Sequence, residues 1–294
     1  MKESESMHHL RPFTVALTFV FLSTIATAQD VGPANGSLVV VGGAMKDPAI
    51  MERFIELAGG PEAPIVVIPT AGGGEEYDDF YSGARRWRDM GVMDVTVLHT
   101  KDRDEADSDR FVSAIRRARG VWFPGGRQWR LADSYLDTKT EREFHALLAR
   151  GGVIGGSSAG ATIQGSYLVR GDTKTNTIMM GDHERGFAFL KDVGIDQHLL
   201  VRNRQFDLID VIKTHPELLG IGIDEDTAIV VRGDSFEVMG QGYVAIYDNG
   251  RMLTDHGHFY FLRPGDTYNM KTREPQRRVP STDPFNIVEQ KSWR

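Results

Sequence analysis

The chain contains no cysteine. That absence excludes a disulfide framework, a cysteine-ligated zinc and a cysteine nucleophile together, and leaves the compartment undecided. Basic residues are in deficit: 34 Lys and Arg stand against 41 Asp and Glu, a formal net charge of -7, and no long Lys/Arg block interrupts the acidic balance. Phosphate backbones and anionic membranes would repel such a chain, so nucleic acid is set aside as a partner. Internal repeats, low-complexity tracts and long linkers are also lacking. The glycines at Gly42-Gly43 and 72–74 fit neither G-x-G-x-x-G nor a P-loop, so no dinucleotide or phosphate cradle is indicated.

One long apolar run is present, PFTVALTFVFLSTIATA at residues 12–28. It ends in Ala26-Thr27-Ala28, an A-x-A pattern, and Arg11 precedes it. This is the pattern of a cleaved signal peptide, with Gln29 opening the mature chain and a secreted or periplasmic destination. A transmembrane anchor is the alternative, but the run is short for a span and has no basic flank after it. The remaining residues, 29–294, are expected to form one domain.

From residue 37 the chain alternates between continuous apolar runs and helical patterns. SLVVVGGA (37–44), PIVVIPTAGG (64–73), VTVLHT (95–100), GVWFPGG (120–126) and GGVIGGSSAGA (151–161) read as five strands. Helical patterns lie between them at 48–58, 77–90, 102–118 and 133–149. Runs without polar alternation suit strands buried on both faces, and the βα alternation predicts a mainly parallel sheet covered by helices, a three-layer α/β/α arrangement. Ligands bind such sheets beyond the carboxyl ends of the strands. Those ends carry Gly42-Gly43, Ala71-Gly72-Gly73, Gly125-Gly126 and residues 155–160. The second half differs: residues 205–213 look helical, 221–248 read as short strands in hairpins, and Asp248-Asn249-Gly250 supplies a turn signal.

Gly156-Ser157-Ser158-Ala159-Gly160 fits G-x-S-x-G between a strand and an expected helix at 161–168. That context suits a nucleophile elbow, where a sharp strand-to-helix turn lifts one side chain above the sheet. Ser158 is the candidate nucleophile. Ser157 is its rival, but only Ser158 has glycine at both -2 and +2. The N–H of Ala159 would face an oxyanion, and the Gly125-Gly126 turn offers a second donor, placed at Gly126. The base should be a histidine. His99, His145, His183, His198, His215, His256 and His258 are available, and residue types alone do not separate His198, in a cationic stretch with Arg202 and Arg204, from a polar surface patch. His256-Gly257-His258 lacks an evident third metal ligand. Asp224-Glu225-Asp226 reads as a charged turn rather than a cation site.

Four motifs in order resemble the cyanophycinase and aspartyl dipeptidase family of serine peptidases: Gly125-Gly126-Arg127-Gln128, the run 156–161, Asp196-Gln197-His198, and the run 220–228. The resemblance extends from about Leu38 to Tyr247. It implies a fold similar to class I glutamine amidotransferase-like (flavodoxin-like) domains. It implies hydrolysis of cyanophycin, a poly-aspartate backbone bearing arginines, to β-aspartyl-arginine, with no cofactor or metal. The expected partner is a peptide or polypeptide containing aspartate, with a homodimer left open. Carried over, Ser158 is the nucleophile and His198 the base. The triad acid falls after the elbow helix, at Asp172 with Glu184 as rival. Gln128, Asp196, Gln197, Arg202, Arg204 and the position of Asp207 are substrate contacts. Two positions depart from the pattern: Asp207 stands where a third arginine is expected, and Arg127 where aspartate is usual. Rival readings are an aspartyl or isoaspartyl dipeptidase of altered specificity and an inactive binding protein of the same fold.

Overall fold

The computed structural model describes residues 30–252 and 257–278. The apolar run at 12–28 and the expected cleavage site lie outside these residues, as does His256. Strand β1 (Ser37–Val41) leads into α1 (Pro48–Ala58), followed by β2 (Ile65–Val67), α2 (Ser82–Asp89), β3 (Val95–Val97), α3 (Arg103–Ala106), α4 (Asp109–Arg117) and β4 (Gly120–Phe123). Next come α5 (Gln128–Tyr135), α6 (Lys139–Ala149), β5 (Val153–Ser157), α7 (Ala159–Thr162), β6 (Gly165–Tyr167), β7 (Leu190–Gln197), α8 (Asp207–Thr214) and β8 (Leu219–Ile223). The described chain closes with β9 (Thr227–Arg232), β10 (Ser235–Gly240), β11 (Val244–Asp248), α9 (Asn249–Met252), β12 (Tyr260–Leu262), β13 (Thr267–Asn269) and β14 (Glu274–Gln276).

Local chemistry sets several of these boundaries. Helix α1 starts where the Asp47 carboxylate accepts the Ala49 N–H, with Pro48 in the first turn, and stops at Gly59 in the left-handed region. Its buried residues Ile50, Met51, Phe54, Ile55 and Ala58 recur at helical spacing.

The central sheet runs β14-β13-β10-β9-β1-β5-β4-β2-β3. Its five strands from β1 to β3 are mutually parallel, and antiparallel strands extend it beyond β1. Alternating residues divide between two cores: Leu38, Val40, Val66, Ile68, Val121 and Phe123 face one side, and Val39, Val41, Ile65, Val67 and Trp122 the other. Helices α1 and α2 cover the second face, where Phe54, Trp87 and Trp122 meet with ring centroids 5.0–5.2 Å apart. Helices α4, α5 and α6 cover the first. The α/β/α expectation therefore holds around the parallel strands.

A second, five-stranded sheet, β12-β11-β8-β7-β6, shares the first core through Val193, Ile195, Ile221, Ile223 and Ile246. Helix α8 packs on its outer face with Tyr167, Leu199 and Tyr247. This sheet corrects two expectations. The run at 221–248 is not a string of hairpins: β9 and β10 pair as one, while β8 and β11 pair with each other in the second sheet. The helix expected at 161–168 is the four-residue α7, after which Gly165 opens β6.

Candidate active site

Ser158 ends the path of β5 at φ 58° and ψ -113°, a conformation costly for a residue with a Cβ. The surrounding glycines make that turn fit. A Cβ on Gly156 would meet the Gly160 carbonyl oxygen at 2.3 Å, and one on Gly160 would meet that of Phe123 at 1.9 Å. The elbow is thus packed directly on β4, and side chains at these two positions would push it away. Across the edge, Ser158 Oγ lies 2.9 Å from Nε2 of His198. His198 follows the last residue of β7, also at positive φ (55°). Its other nitrogen, Nδ1, donates to Oε1 of Glu225 at 2.5 Å.

The exit of β1 holds this line together. The N–H of Ser158 donates to Val41 O at 3.0 Å, that of His198 to Gly42 O at 2.9 Å, and that of Asp226, next to Glu225, to Gly43 O at 2.9 Å. Three successive carbonyls of one strand exit therefore brace the serine, the histidine and the neighbour of the glutamate. The carboxylates flanking Glu225 turn elsewhere. Asp224 accepts the N–H groups of Leu200 and Val201, and Asp226 those of Lys46 and Asp47. Among the described residues no group of His, Asp or Glu side chains could hold a metal ion.

Burial pushes the His198 pKa down from its ordinary 6.5; the Glu225 hydrogen bond and charge oppose this, and Arg202 and Arg204 add to it. At neutral pH the ring is therefore uncharged. Donation from Nδ1 to Glu225 leaves Nε2 with the lone pair that the Ser158 hydroxyl needs. On the other side of the serine, Gly125 stands close enough that a Cβ there would lie 3.2 Å from Ser158 Cβ. The backbone N–H groups of Gly126 and Ala159 donate to no acceptor among the described residues.

The expected triad acid, Asp172, is not part of this line. Its carboxylate accepts the N–H groups of Lys174 and Thr175 and closes a turn. Glu184 pairs instead with the Tyr167 hydroxyl. Glu225 was legible only as one acid of a charged turn. The available signal was its position just past a buried apolar strand, on the edge where the other strand exits gather.

Several expected substrate contacts are engaged within the protein. Asp196 is fully buried and accepts a two-pronged ion pair from Arg170, Nε to Oδ1 at 2.8 Å and Nη2 to Oδ2 at 3.0 Å. Asp207 pairs with the same guanidinium. Burial works against the charge of Arg170, but its bonds to Asp196 and Asp207 hold the pKa above the usual value. Arg204 is buried and donates from Nη1 to both the backbone and side-chain oxygens of Gln197. Gln128 is buried and spends its amide on the carbonyls of Val169 and Arg170. Of the six, Arg202 is exposed and has no ion-pair partner among the described residues. Asp196, buried, and Asp207, partly exposed, are tied into an ion-pair network centred on Arg170, which sequence reasoning did not single out. Arg127 donates to the carbonyls of Asp172 and Thr175, tying the loop at 172–178 to the Gly125-Gly126 turn.

A serine, a histidine and a glutamate in hydrogen-bonded line, at the carboxyl edge of a parallel sheet and beside two unengaged N–H groups, define a serine-type hydrolase built on an α/β scaffold. Comparison with known proteins narrows this class. The chain belongs to peptidase family S51, whose model matches residues 38–239, and is a serine-type peptidase. It is 32% identical over 271 residues to the cyanophycinase of Geminocystis herdmanii, covering 83% of this chain and 97% of the relative. It is 31% identical to that of Thermosynechococcus vestitus, covering 83% and 82%. Among solved structures, a peptidase from an acI-B1 Actinobacterium superposes with a TM-score of 0.62 at 27% identity, covering 81% of this chain and 98% of that one.

Proposed function

We propose that the protein hydrolyses aspartyl peptide bonds of a cyanophycin-type polymer outside the cytoplasm, with Ser158, His198 and Glu225 as its catalytic triad. The observation that carries the triad is the continuous line from Ser158 Oγ through His198 to Glu225. The substrate class rests on likeness to relatives named cyanophycinase over most of their length. Export rests on the signal-peptide pattern, and fits a polymer too large to import.

In this mechanism Ser158 Oγ attacks the aspartyl carbonyl carbon as its proton passes to His198 Nε2. Glu225 receives the Nδ1–H bond and stabilises the imidazolium that forms. The N–H groups of Gly126 and Ala159 hold the oxyanion; each such donor is worth roughly 10²- to 10³-fold in turnover. Collapse breaks the C–N bond, and Nε2–H protonates the departing amine. Water, deprotonated by the same nitrogen, then attacks the serine ester, releases the acid and restores the hydroxyl.

A second reading, an aspartyl or isoaspartyl dipeptidase, is favoured by one observation. The carboxylates of Asp196 and Asp207 are neutralised by Arg170 rather than left open to a substrate arginine. Offering the mature protein cyanophycin beside a panel of α- and β-aspartyl dipeptides separates the two by product analysis. Ser158→Ala and His198→Ala should each abolish turnover by several orders of magnitude, whereas Ser157→Ala should be mild. Hydrolysis that survives Ser158→Ala would overturn the mechanism. Amino-terminal sequencing from the native host should begin at Gln29; a retained apolar run would overturn export.

A further inference from the structure

We propose that Arg130 is a specificity-determining residue that binds a substrate carboxylate beside the oxyanion turn. Its side chain reaches back from α5 so that Nη1 donates to Ala71 O at 3.0 Å. That carbonyl also accepts the Arg127 N–H, and a Cβ on Gly126 would lie 2.0 Å from it. The guanidinium therefore stands next to the turn whose Gly126 N–H faces the oxyanion. A Cβ on Gly73, at φ +80°, would sit 2.1 Å from Nη1, so glycine there opens the space the guanidinium fills. The Trp129 ring lies 5.3 Å from Cζ and helps fix the head group. No carboxylate of the described residues pairs with Arg130, although the chain carries an excess of acids. The neighbouring cation Lys101 has its own partner, Glu75. A half-buried, oriented guanidinium with donors to spare matches a carboxylate in geometry and charge.

The inference rests on the reading that an aspartyl residue acylates Ser158. With the carbonyl oxygen at Gly126 and Ala159 and the leaving amine at His198, the group nearest Arg130 belongs to the acyl residue. A carboxylate there has two sources. An unmodified aspartyl residue offers its side-chain carboxylate. In β-aspartyl-arginine units that group is amidated, and the arginine's own α-carboxylate takes its place.

Calorimetry on the Ser158→Ala protein, with and without Arg130→Gln, tests this using L-aspartate, L-asparagine and β-aspartyl-arginine as ligands. Aspartate should bind more tightly than asparagine, and Arg130→Gln should erase that preference, a loss of roughly 10- to 100-fold for aspartate alone. If instead only β-aspartyl-arginine loses affinity, the carboxylate held is that of the arginine. Equal weakening of all three ligands, no change in any, or no binding of any overturns the proposal. Should Arg130→Gln not fold, Arg130→Lys keeps the charge but loses the fork and should leave an intermediate preference; an unaltered preference overturns the proposal equally. Binding needs no turnover. A wild-type protein that discriminates aspartate from asparagine yet cleaves no aspartyl peptide would therefore refute the proposed function and leave the carboxylate site standing.

Discussion

Gly43 lies against the imidazole of His198: a Cβ on Gly43 would meet the ring's Cε1 at 2.3 Å, Nδ1 at 2.5 Å and Nε2 at 2.9 Å. The base is thus held from below by bare backbone. Gly43→Ala should move the ring off the Ser158–Glu225 line and lower kcat at least about 10²-fold, because misplacement of order 1 Å is enough. Steady-state kinetics beside a thermal melt would check this; a melt shifted by many degrees with kcat intact would assign Gly43 to folding instead.

Glu225 and Asp172 make opposite predictions. Glu225→Gln keeps the shape but removes the charge that accepts Nδ1–H, and should lower kcat by roughly 10³- to 10⁴-fold. Asp172→Asn retains a turn-closing oxygen for Lys174 and Thr175 and should stay within about threefold of the parent. The reverse ranking in kcat would return the acid role to Asp172.

In the proposed mechanism His198 acts as the base in its neutral form, and the pH profile follows from it. Because burial lowers its pKa below 6.5, kcat/KM should be flat through neutral pH and fall only on the acid side of that value. Glu225 raises the pKa and Arg202 lowers it. Glu225→Gln should therefore move the acid limb further down, and Arg202→Ala should move it up. An acid limb above pH 7 in the parent would contradict the buried, neutral ring.

Asp207 and Asp196 report on the network around Arg170. Asp207→Arg would set a new guanidinium against Arg170, with Arg204 already beside Asp196. The expected outcome is lower stability and loss on every substrate, not a switch of preference. Asp196→Ala strands the buried Arg170 and should cost about 3–5 kcal/mol in denaturant unfolding. A shift confined to substrate choice would place either residue at the substrate after all.

The parallel strands and α1 could be read from the sequence because their signals are local. Val39 and Val41 lie in one unbroken apolar run, and Asp47, Pro48 and Gly59 mark the helix ends chemically. Ser158 was legible for the same reason, since Gly156 and Gly160 sit two residues to either side. The second sheet was not, because β8 finds β7 and β11 rather than its sequence neighbour β9, and short apolar runs look alike whichever sheet they join. Glu225 and Asp172 are both acids in turns. Only the pairing of β1 with β5 and β9 decides which of them reaches the histidine.

That pairing also dictates when the protein becomes an enzyme. The carbonyls of 41–43 lie at the end and exit of the first described strand, while the groups they brace are Ser158, His198 and Asp226, each more than a hundred residues downstream. No contiguous fragment shorter than the span from Val41 to Asp226 contains the whole braced site. Contacts this distant in sequence form late, after the entropy of closing the long loops has been met. A nascent or partly unfolded chain is therefore catalytically silent. In refolding, hydrolytic activity should return with the slowest structural phase rather than with early helix formation, so turnover itself serves as a clock for the docking of β1.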